Sequence, residues 1–448
     1  MKSNLDDTHL LEHSPIDKLF LKYALPSVVT VLFFGLQNLV DGIIVGNYVG
    51  ADALGGVNII LPLYSLLMVI AISVGMGSLT LMSVGLGANN HQRATDAMAT
   101  GYISLLVISL FMTIVLLFFS EDLVRFFGAN ERLFPHALGY IRGLTPFIIP
   151  LTLTFYSDEV LKALGHPKFS MCIMSFAVLL NIVLSWYMVS VLAWGTMGSS
   201  VATGISFTVA LLIALALILN PKQKLHLFKG RFSWELLAKA VYNGSSEGVS
   251  ELASAVSIFV INLTIVHLLG AEGVAAFTVI NYLNFIGILL FLGISNGLVP
   301  VLSYNYGAKN FQRVKRIFST TLRVILLIGL CIFCLLQLYG VRIMELFFKD
   351  TNSSEVLAIA AEGLSVYAFI FLLSGFNILT TSFFTSLEHA HDSIIVAALR
   401  GFVFIVLGVK ILSYIFGIAG VWIAIPFAEL LTFLVALYLL RRVYKTLV

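Results

Sequence analysis

Long apolar runs alternate with short polar or Gly/Pro-marked breaks along the whole chain. A helix that crosses a bilayer needs about 20 apolar residues. Runs of about that length lie at residues 18–47, 55–82, 96–119, 134–160, 169–190 and 197–219, and again at 240–268, 274–302, 317–340, 356–385, 393–415 and 418–440. This pattern predicts an all-α integral membrane protein with twelve transmembrane helices.

The longest polar stretch divides the predicted helices six and six. It is the segment "NPKQKLHLFKGRFSWELLAK". The predicted parts are an N-terminal segment 1–17, a first lobe 18–219, a linker 220–239, a second lobe 240–440 and a C-terminal tail 441–448.

The two halves are copies of one another. "GADALGGV" at 50–57 aligns with "GAEGVAAF" at 270–277, and "GANNHQR" at 87–93 aligns with "GAKNFQR" at 307–313, both at an offset of 220 residues. Because each unit holds an even number of spans, the copies enter the membrane from the same side. Such parallel repeats predict a central cleft between two lobes and transport by alternating access.

The distribution of Lys and Arg predicts the orientation. Of 26 such residues, all but six fall on the side of the termini. The six on the opposite side are Arg125, Arg132, Arg142, Arg342, Lys349 and Lys410. The excess of positive charge predicts that both termini are cytoplasmic and that the chain lies in the inner (plasma) membrane.

Composition excludes several other classes of protein. The chain is 59% hydrophobic and 11% charged, whereas about a quarter of the residues of a soluble domain are charged. Its formal charge of +3 is spread over loops, so we expect contact with membrane lipids but no nucleic-acid partner. We find no phosphate loop and no buried nucleophile–base pair, so an enzyme is disfavoured. The group "EHAHD" at 388–392 is typical of a helix start, and we expect neither a metal nor a cofactor.

The first apolar run contains an acid. Asp41 lies in the outer half of span 1, where an ionisable side chain is a candidate for function. We expect it to bind and release a proton or a small cation, with Gly35 allowing bending or close approach. The alternative interpretation is that Asp41 links helices at the outer rim.

Polar residues on three other spans are predicted partners of Asp41. Tyr140 lies on span 4, Asn181 and Ser185 are one turn apart on span 5, and Thr203 lies on span 6. If the first lobe packs these side chains inward, the carboxylate gains hydroxyl and amide neighbours that suit a proton relay or an oxygen-liganded cation.

The second lobe contains further charged residues. Arg400 and Glu429 lie at similar depth and are predicted to form a structural ion pair. Glu251 is a candidate for a site on the cleft, whereas Glu247, one turn earlier, is also compatible with the cytoplasmic interface. The predicted substrate-cleft residues are Gln37, Asn38, Glu251, Asn281 and Asn377.

Several motifs resemble those of the multidrug and toxic compound extrusion (MATE) transporters. They are "VDGIIVGNYVGADALGGV", "SYNYGAKNFQR", the "N-x-x-x-S" of span 5 and "FGIAGVWIAIPFAE" at 416–429. The resemblance covers nearly the whole chain and is closest to the bacterial and archaeal branch that includes DNA-damage-inducible protein F (DinF-like). It implies two six-helix lobes and efflux of drug-like, often cationic or hydrophobic molecules, driven by inward flow of protons or sodium ions.

The resemblance also implies roles for particular residues. Asp41 would be the coupling acid, with Tyr140, Asn181 and Thr203 as its partners, and span 1 would bend at Pro26 when the acid is protonated. Where the family usually reads Asn-x-x-Leu-Asp, this chain has "NIVLS", so Ser185 replaces a second carboxylate. This difference favours H+ over Na+ as the coupling ion, although Na+ stays possible.

A lipid-linked oligosaccharide flippase of the same superfamily is the second hypothesis. A pyrophosphate headgroup would require buried Arg or Lys in the cleft. Spans 1, 2, 7 and 8 carry only Lys22 and Lys239, at their ends. We therefore expect an exporter of small molecules that functions as a monomer.

Overall fold

The computed structural model describes residues 11–12, 14–345 and 354–447, and this part of the chain is almost entirely helical, with no strand. Most of the predicted segment 1–17, namely residues 1–10 and 13, lies outside it, as do Lys349 and Val448. The first-lobe helices are α1 (Ile16–Tyr48), α2 (Ala51–Gly87), α3 (His91–Phe126), α4 (Phe134–Ala163), α5 (Pro167–Val191) and α6 (Gly195–Ile218).

The second lobe repeats this order. Helices α7 and α8 share the stretch Trp234–Gly307, and they are followed by α9 (Phe311–Glu345), α10 (Ser354–Tyr367, Ala368–Leu372 and Ser374–Ser386), α11 (Ala390–Phe416) and α12 (Ile418–Thr446). Gly270 breaks the stretch into α7 and α8, since its φ of 68° and ψ of −148° are not helical. With this break, the described residues form the twelve predicted helices.

The backbone confirms the internal repeat. Gly50 and Gly270, both with positive φ, separate the first two helices of their lobes at the predicted offset. Asn89 (φ 56°) and Lys309 (φ 57°) occupy the left-handed region at equivalent turns. Because these unusual conformations recur at matching positions, the two lobes are copies in structure as well as in sequence.

Helix α7 begins earlier than the apolar pattern predicts, at Trp234 instead of 240. The Ser233 hydroxyl accepts a hydrogen bond from the Leu236 backbone N–H at 3.3 Å and caps the helix. Glu235 and Lys239 form an ion pair at 2.6 Å along the first turn. This turn is polar, so hydrophobicity alone does not detect it.

The lobes meet on the side of the molecule where the chain ends lie, here called the termini side. A Cβ at Gly77 of α2 would collide with the Ala240 carbonyl of α7, and one at Gly297 of α8 would lie 2.7 Å from the Ser27 Cβ of α1. The two crossings are related by the repeat, since Gly77 and Gly297 occupy equivalent positions. Small residues therefore let the helices of opposite lobes approach closely.

The lobes separate towards the opposite side. The close glycine contacts between them fall within residues 23–35, 69–87, 240–248 and 285–308. Further along α1, a Cβ added at Gly42 or Gly46 would have no neighbour within 4 Å. The cleft is therefore closed on the termini side and open on the other.

Candidate coupling site

Asp41 faces the interior of the first lobe. Ser185 of α5 and Gln37, one turn earlier on α1, interact with its carboxylate. Tyr64 of α2 and Tyr140 of α4 also lie close enough to interact with it electrostatically. The carboxylate is thus surrounded by helices of its own lobe, away from the surface that faces the second lobe.

The amide of Asn181 connects Asp41 to Thr203. It is fully buried, 3.0 Å from the Thr203 Oγ1 and 3.3 Å from the Asp41 Oδ2. In one orientation its Nδ2 donates to the Thr203 hydroxyl and its Oδ1 faces the carboxyl group. In the reverse orientation Nδ2 donates to Asp41 and Oδ1 faces Thr203. An amide therefore accepts from a protonated Asp41 or donates to an ionised one without moving its backbone.

Several oxygen atoms of this site have spare hydrogen-bonding capacity. Asp41 Oδ1, Ser185 Oγ and Gln37 Oε1 are buried, and none makes a hydrogen bond of ordinary geometry within the described chain. Buried polar atoms are usually satisfied. Because these three oxygen atoms without hydrogen-bond partners belong to one site, we infer that the site can bind a proton or a small cation.

Three phenylalanines lie on the termini side of this polar cluster. Phe34, seven residues before Asp41 on α1, stacks on Phe155 with ring centroids 5.3 Å apart. Phe155 stacks in turn on Phe207 at 5.4 Å. Seven residues of helix correspond to about 10 Å. This aromatic layer makes the path from Asp41 towards the termini side apolar.

Of the two predicted hinge residues, Gly35 lies on the surface of α1 that approaches the second lobe. Helix α1 continues through Pro26, whose carbonyl accepts a hydrogen bond from the Thr30 hydroxyl at 3.0 Å. A Cβ at Gly35 would lie 3.0 Å from the Leu289 Cδ1 of α8. Gly35 thus permits close contact between the lobes, and α1 is unbroken in this conformation.

Arg400 and Glu429 lie together inside the second lobe. The Arg400 Nε donates to the Glu429 Oε1 at 2.8 Å. The Asn377 Nδ2 donates to the Glu429 Oε2 at 2.6 Å and to the Glu429 carbonyl at 2.9 Å. Asn377 is fully buried, so the prediction that it lines the cleft was wrong, because its amide is needed to satisfy the buried carboxylate.

The other predicted cleft residues fall into two groups. Asn38 and Glu251 are exposed and Asn281 is half-buried, so they are accessible from outside the lobes. Gln37 is only 7% exposed and interacts with Asp41. Gln37 therefore belongs to the first-lobe site. As for Asn377, the prediction that it lines the cleft was wrong.

Sequence reasoning missed Tyr64. Tyr64 is one aromatic residue within a long apolar helix, and nothing in the sequence indicates which way it points. Within the described residues, no group of three or more His, Cys, Asp or Glu side chains is arranged to hold a metal ion.

Two six-helix repeats around a cleft that opens on one side, with an acid enclosed in one lobe, define a membrane transporter of the alternating-access kind. A family model described as MatE matches residues 26–187 and 248–410, one match in each repeat. The chain belongs to this family of membrane transporters, as its motifs predicted.

Curated relatives and solved structures agree with this assignment. The chain is 24% identical over 447 residues to the multidrug export protein MepA of Staphylococcus aureus (strain MSSA476), covering 97% of this chain and 96% of the relative. It is 22% identical over 444 residues to MepA of Staphylococcus saprophyticus, with the same shares covered.

A crystal structure of a MATE protein in complex with MaL6 has a TM-score of 0.92 at 22% identity, and the match covers 100% of this chain and 99% of the other. A MATE transporter of the MOP superfamily in an outward-facing conformation has a TM-score of 0.91 at 22% identity, covering 98% of both chains. These matches show the same fold.

Proposed function

We propose that the protein exports small drug-like molecules, often cationic or hydrophobic, in exchange for protons that bind at Asp41. The observation that carries this proposal is the enclosed carboxylate with the Asn181 amide 3.3 Å away. An acid inside a membrane protein is costly unless it has partners or a function. The MepA relatives are named as multidrug export proteins, and this name supports the substrate class. One chain supplies both lobes, so a monomer is sufficient.

The Asn181 amide provides a means for the site to follow the charge of Asp41. When the carboxyl group is protonated, its O–H donates to the amide oxygen while Nδ2 donates to Thr203. When the proton leaves, the amide turns and Nδ2 donates to the carboxylate. Both states are therefore hydrogen-bonded, and this lowers the cost of cycling between them.

The side from which protons arrive follows from the cleft and the aromatic layer. The excess of Lys and Arg on the termini side supports an orientation with both termini in the cytoplasm and the open side of the cleft outside the cell. Protons then reach Asp41 from the external side, since Phe34 and its stacked neighbours make the other direction apolar. Bending of α1 at Pro26 would change the exposure of the site, because Pro26 lacks a backbone donor.

The ligand set favours protons over sodium ions. Asp41 is the one acid among the site residues that the structure brings together, and Ser185 stands where the resemblance leads one to expect a second carboxylate. A bound cation would rely on a single formal negative charge and neutral oxygens. A proton needs only the carboxylate and one acceptor.

Transport in liposomes containing the purified protein tests this proposal. We expect an imposed proton gradient without sodium to drive movement of a fluorescent organic cation, and Asp41→Asn to abolish that movement while the protein still inserts. Asp52→Asn is a matched control, because Asp52 lies at the open end of α2 in an exposed ion pair with Arg132 at 2.6 Å. Full gradient-driven transport by Asp41→Asn, or a strict need for sodium, would overturn the proposal.

A further inference from the structure

Helix α9 carries two arginines on an exposed face near the termini side. Only 22% of its most apolar 18 residues are buried inside the protein, so most of this helix faces the surrounding membrane. Arg316 and Arg323 are both exposed, and a separation of seven residues places them on one face, about 10 Å apart along the helix. Leu327 and Leu330 continue this face and are 61% and 49% exposed. The two arginines therefore lie at the end of a row of exposed leucines.

Neither arginine has a partner in the part of the chain that the structure describes. No hydrogen bond, ion pair or ring contact joins Arg316 or Arg323 to another described residue. The adjacent Lys315 differs, since its Nζ donates to the Leu447 carbonyl at 2.6 Å. A guanidinium group offers five N–H donors and no acceptor, so each of these arginines retains its full capacity to bind an anion.

The depth of Arg323 makes an unpaired charge costly. Arg323 lies six residues inside the apolar run 317–340, which corresponds to about 9 Å of helix. A cation on the lipid-facing surface at this depth must reach the headgroup region or be met by an anion. Because side chains on a helix lean towards its N-terminus, Arg323 extends towards Arg316 and the termini side. The two guanidinium groups thus point to the level at which lipid headgroups lie.

The first lobe provides an internal comparison, because α3 is equivalent to α9 at the repeat offset of 220 residues. Arg323 corresponds to Ile103, which is apolar and 42% exposed, as expected of a residue that faces lipid. Arg316 corresponds to Asp96, whose Oδ1 accepts from the Arg231 backbone N–H at 2.8 Å. The fold therefore does not require cations on this face, and the pair of arginines is a feature of the second lobe.

We propose that Arg316 and Arg323 bind an anionic phospholipid of the leaflet on the termini side. Its phosphate group lies between the two guanidinium groups, which donate paired hydrogen bonds to phosphate oxygens. An acyl chain lies along Leu327 and Leu330. A zwitterionic headgroup carries its own ammonium group, which competes with the arginines for the phosphate, so two unpaired positive charges favour a lipid with net negative charge.

Native mass spectrometry of the purified protein tests the inference. The protein in detergent is mixed with equal amounts of phosphatidylglycerol and phosphatidylcholine, and the lipids retained on each molecule are identified by mass. We expect the wild-type protein to retain phosphatidylglycerol in preference. Arg323→Ile introduces the residue type found in the other repeat and should lower this preference about fivefold. Arg316→Gln should lower it by a similar factor, which keeps the test valid if one variant does not fold.

Two further variants separate a specific site from general attraction between charges. Lys222→Gln is the matched control, because Lys222 is an exposed cation of the linker whose side chain has no partner among the described residues. This variant should keep the wild-type preference. Arg323→Lys retains the charge but loses the planar fork of donors, so we expect a preference between those of the wild-type protein and Arg323→Ile.

Three results would contradict the inference. The first is an unchanged lipid preference in both Arg323→Ile and Arg316→Gln. The second is an equal loss in Lys222→Gln, which would show diffuse attraction of anionic lipid in place of a site. The third is a dimer mass that disappears in Arg323→Ile, which would assign this face to a second copy of the chain. No ion gradient or drug is used, so the result does not depend on the proposed function.

Discussion

Single residues define the first-lobe site, and the sequence reveals some of them better than others. Asp41, Asn181 and Thr203 stand out because each is a polar side chain within an apolar run. The prediction that these three side chains meet required only the assumption that they point into the first lobe. Tyr64 and the amide orientation of Asn181 depend on helix rotation and rotamer choice, which hydrophobicity does not encode.

Thr203→Val tests the role of the Asn181 amide. The valine keeps the shape of the side chain but removes the hydroxyl that lies 3.0 Å from the amide. Losing one hydrogen bond costs about 1 kcal/mol, so we expect gradient-driven transport to fall roughly fivefold. Thr208→Val is the control, since its hydroxyl bonds only to the Gly204 carbonyl in the described chain. Equal rates for both variants would count against the role of Thr203.

Arg400→Ala tests the ion pair of the second lobe. The substitution leaves Glu429 buried with Asn377 as its remaining donor, and removing one partner of a buried pair costs about 3–5 kcal/mol. We expect a clear fall in the melting temperature of the purified protein. The double variant Arg400→Met/Glu429→Leu should recover most of it, because no buried charge remains. An unchanged melting temperature in Arg400→Ala would show that the pair is not structural.

At the scale of elements, the apolar runs predicted the helices but not their ends. The start of α7 is set by the Ser233 cap and a polar turn, which contribute nothing to hydrophobicity. The break between α7 and α8 at Gly270 could be predicted from the sequence, because the internal repeat aligns Gly270 with Gly50. Which helices cross closely was not predictable, since that depends on glycines facing one another across the lobes.

Gly77→Ala tests the crossing of α2 and α7. Alanine favours helix over glycine by about 1 kcal/mol, so α2 itself should not be weakened. The added methyl group collides with the Ala240 carbonyl. Spin labels at Gln92→Cys and Gln312→Cys, exposed positions at the starts of α3 and α9, should therefore report more molecules open on the termini side. Gly42→Ala is the control, since its Cβ has no neighbour within 4 Å. A wild-type distance distribution in Gly77→Ala would show that this contact does not hold the lobes together.

At the scale of the whole molecule, the internal repeat gave the architecture directly. Two copies with an even number of spans required parallel lobes, and the equivalent turns at Asn89 and Lys309 show how faithfully the backbone repeats. The sequence did not predict which side of the cleft is open. The choice depends on contacts between the lobes, such as that of Gly77 with the Ala240 carbonyl, which the repeat does not specify.

The central claim is that Asp41 exchanges a proton inside the first lobe, and infrared difference spectroscopy tests it most directly. The spectrum of the protein in acid buffer minus that in alkaline buffer contains a carbonyl band for each carboxyl group that titrates. We predict that one such band disappears in Asp41→Asn while the bands of other acids remain. Identical difference spectra for the wild-type protein and Asp41→Asn would contradict the account.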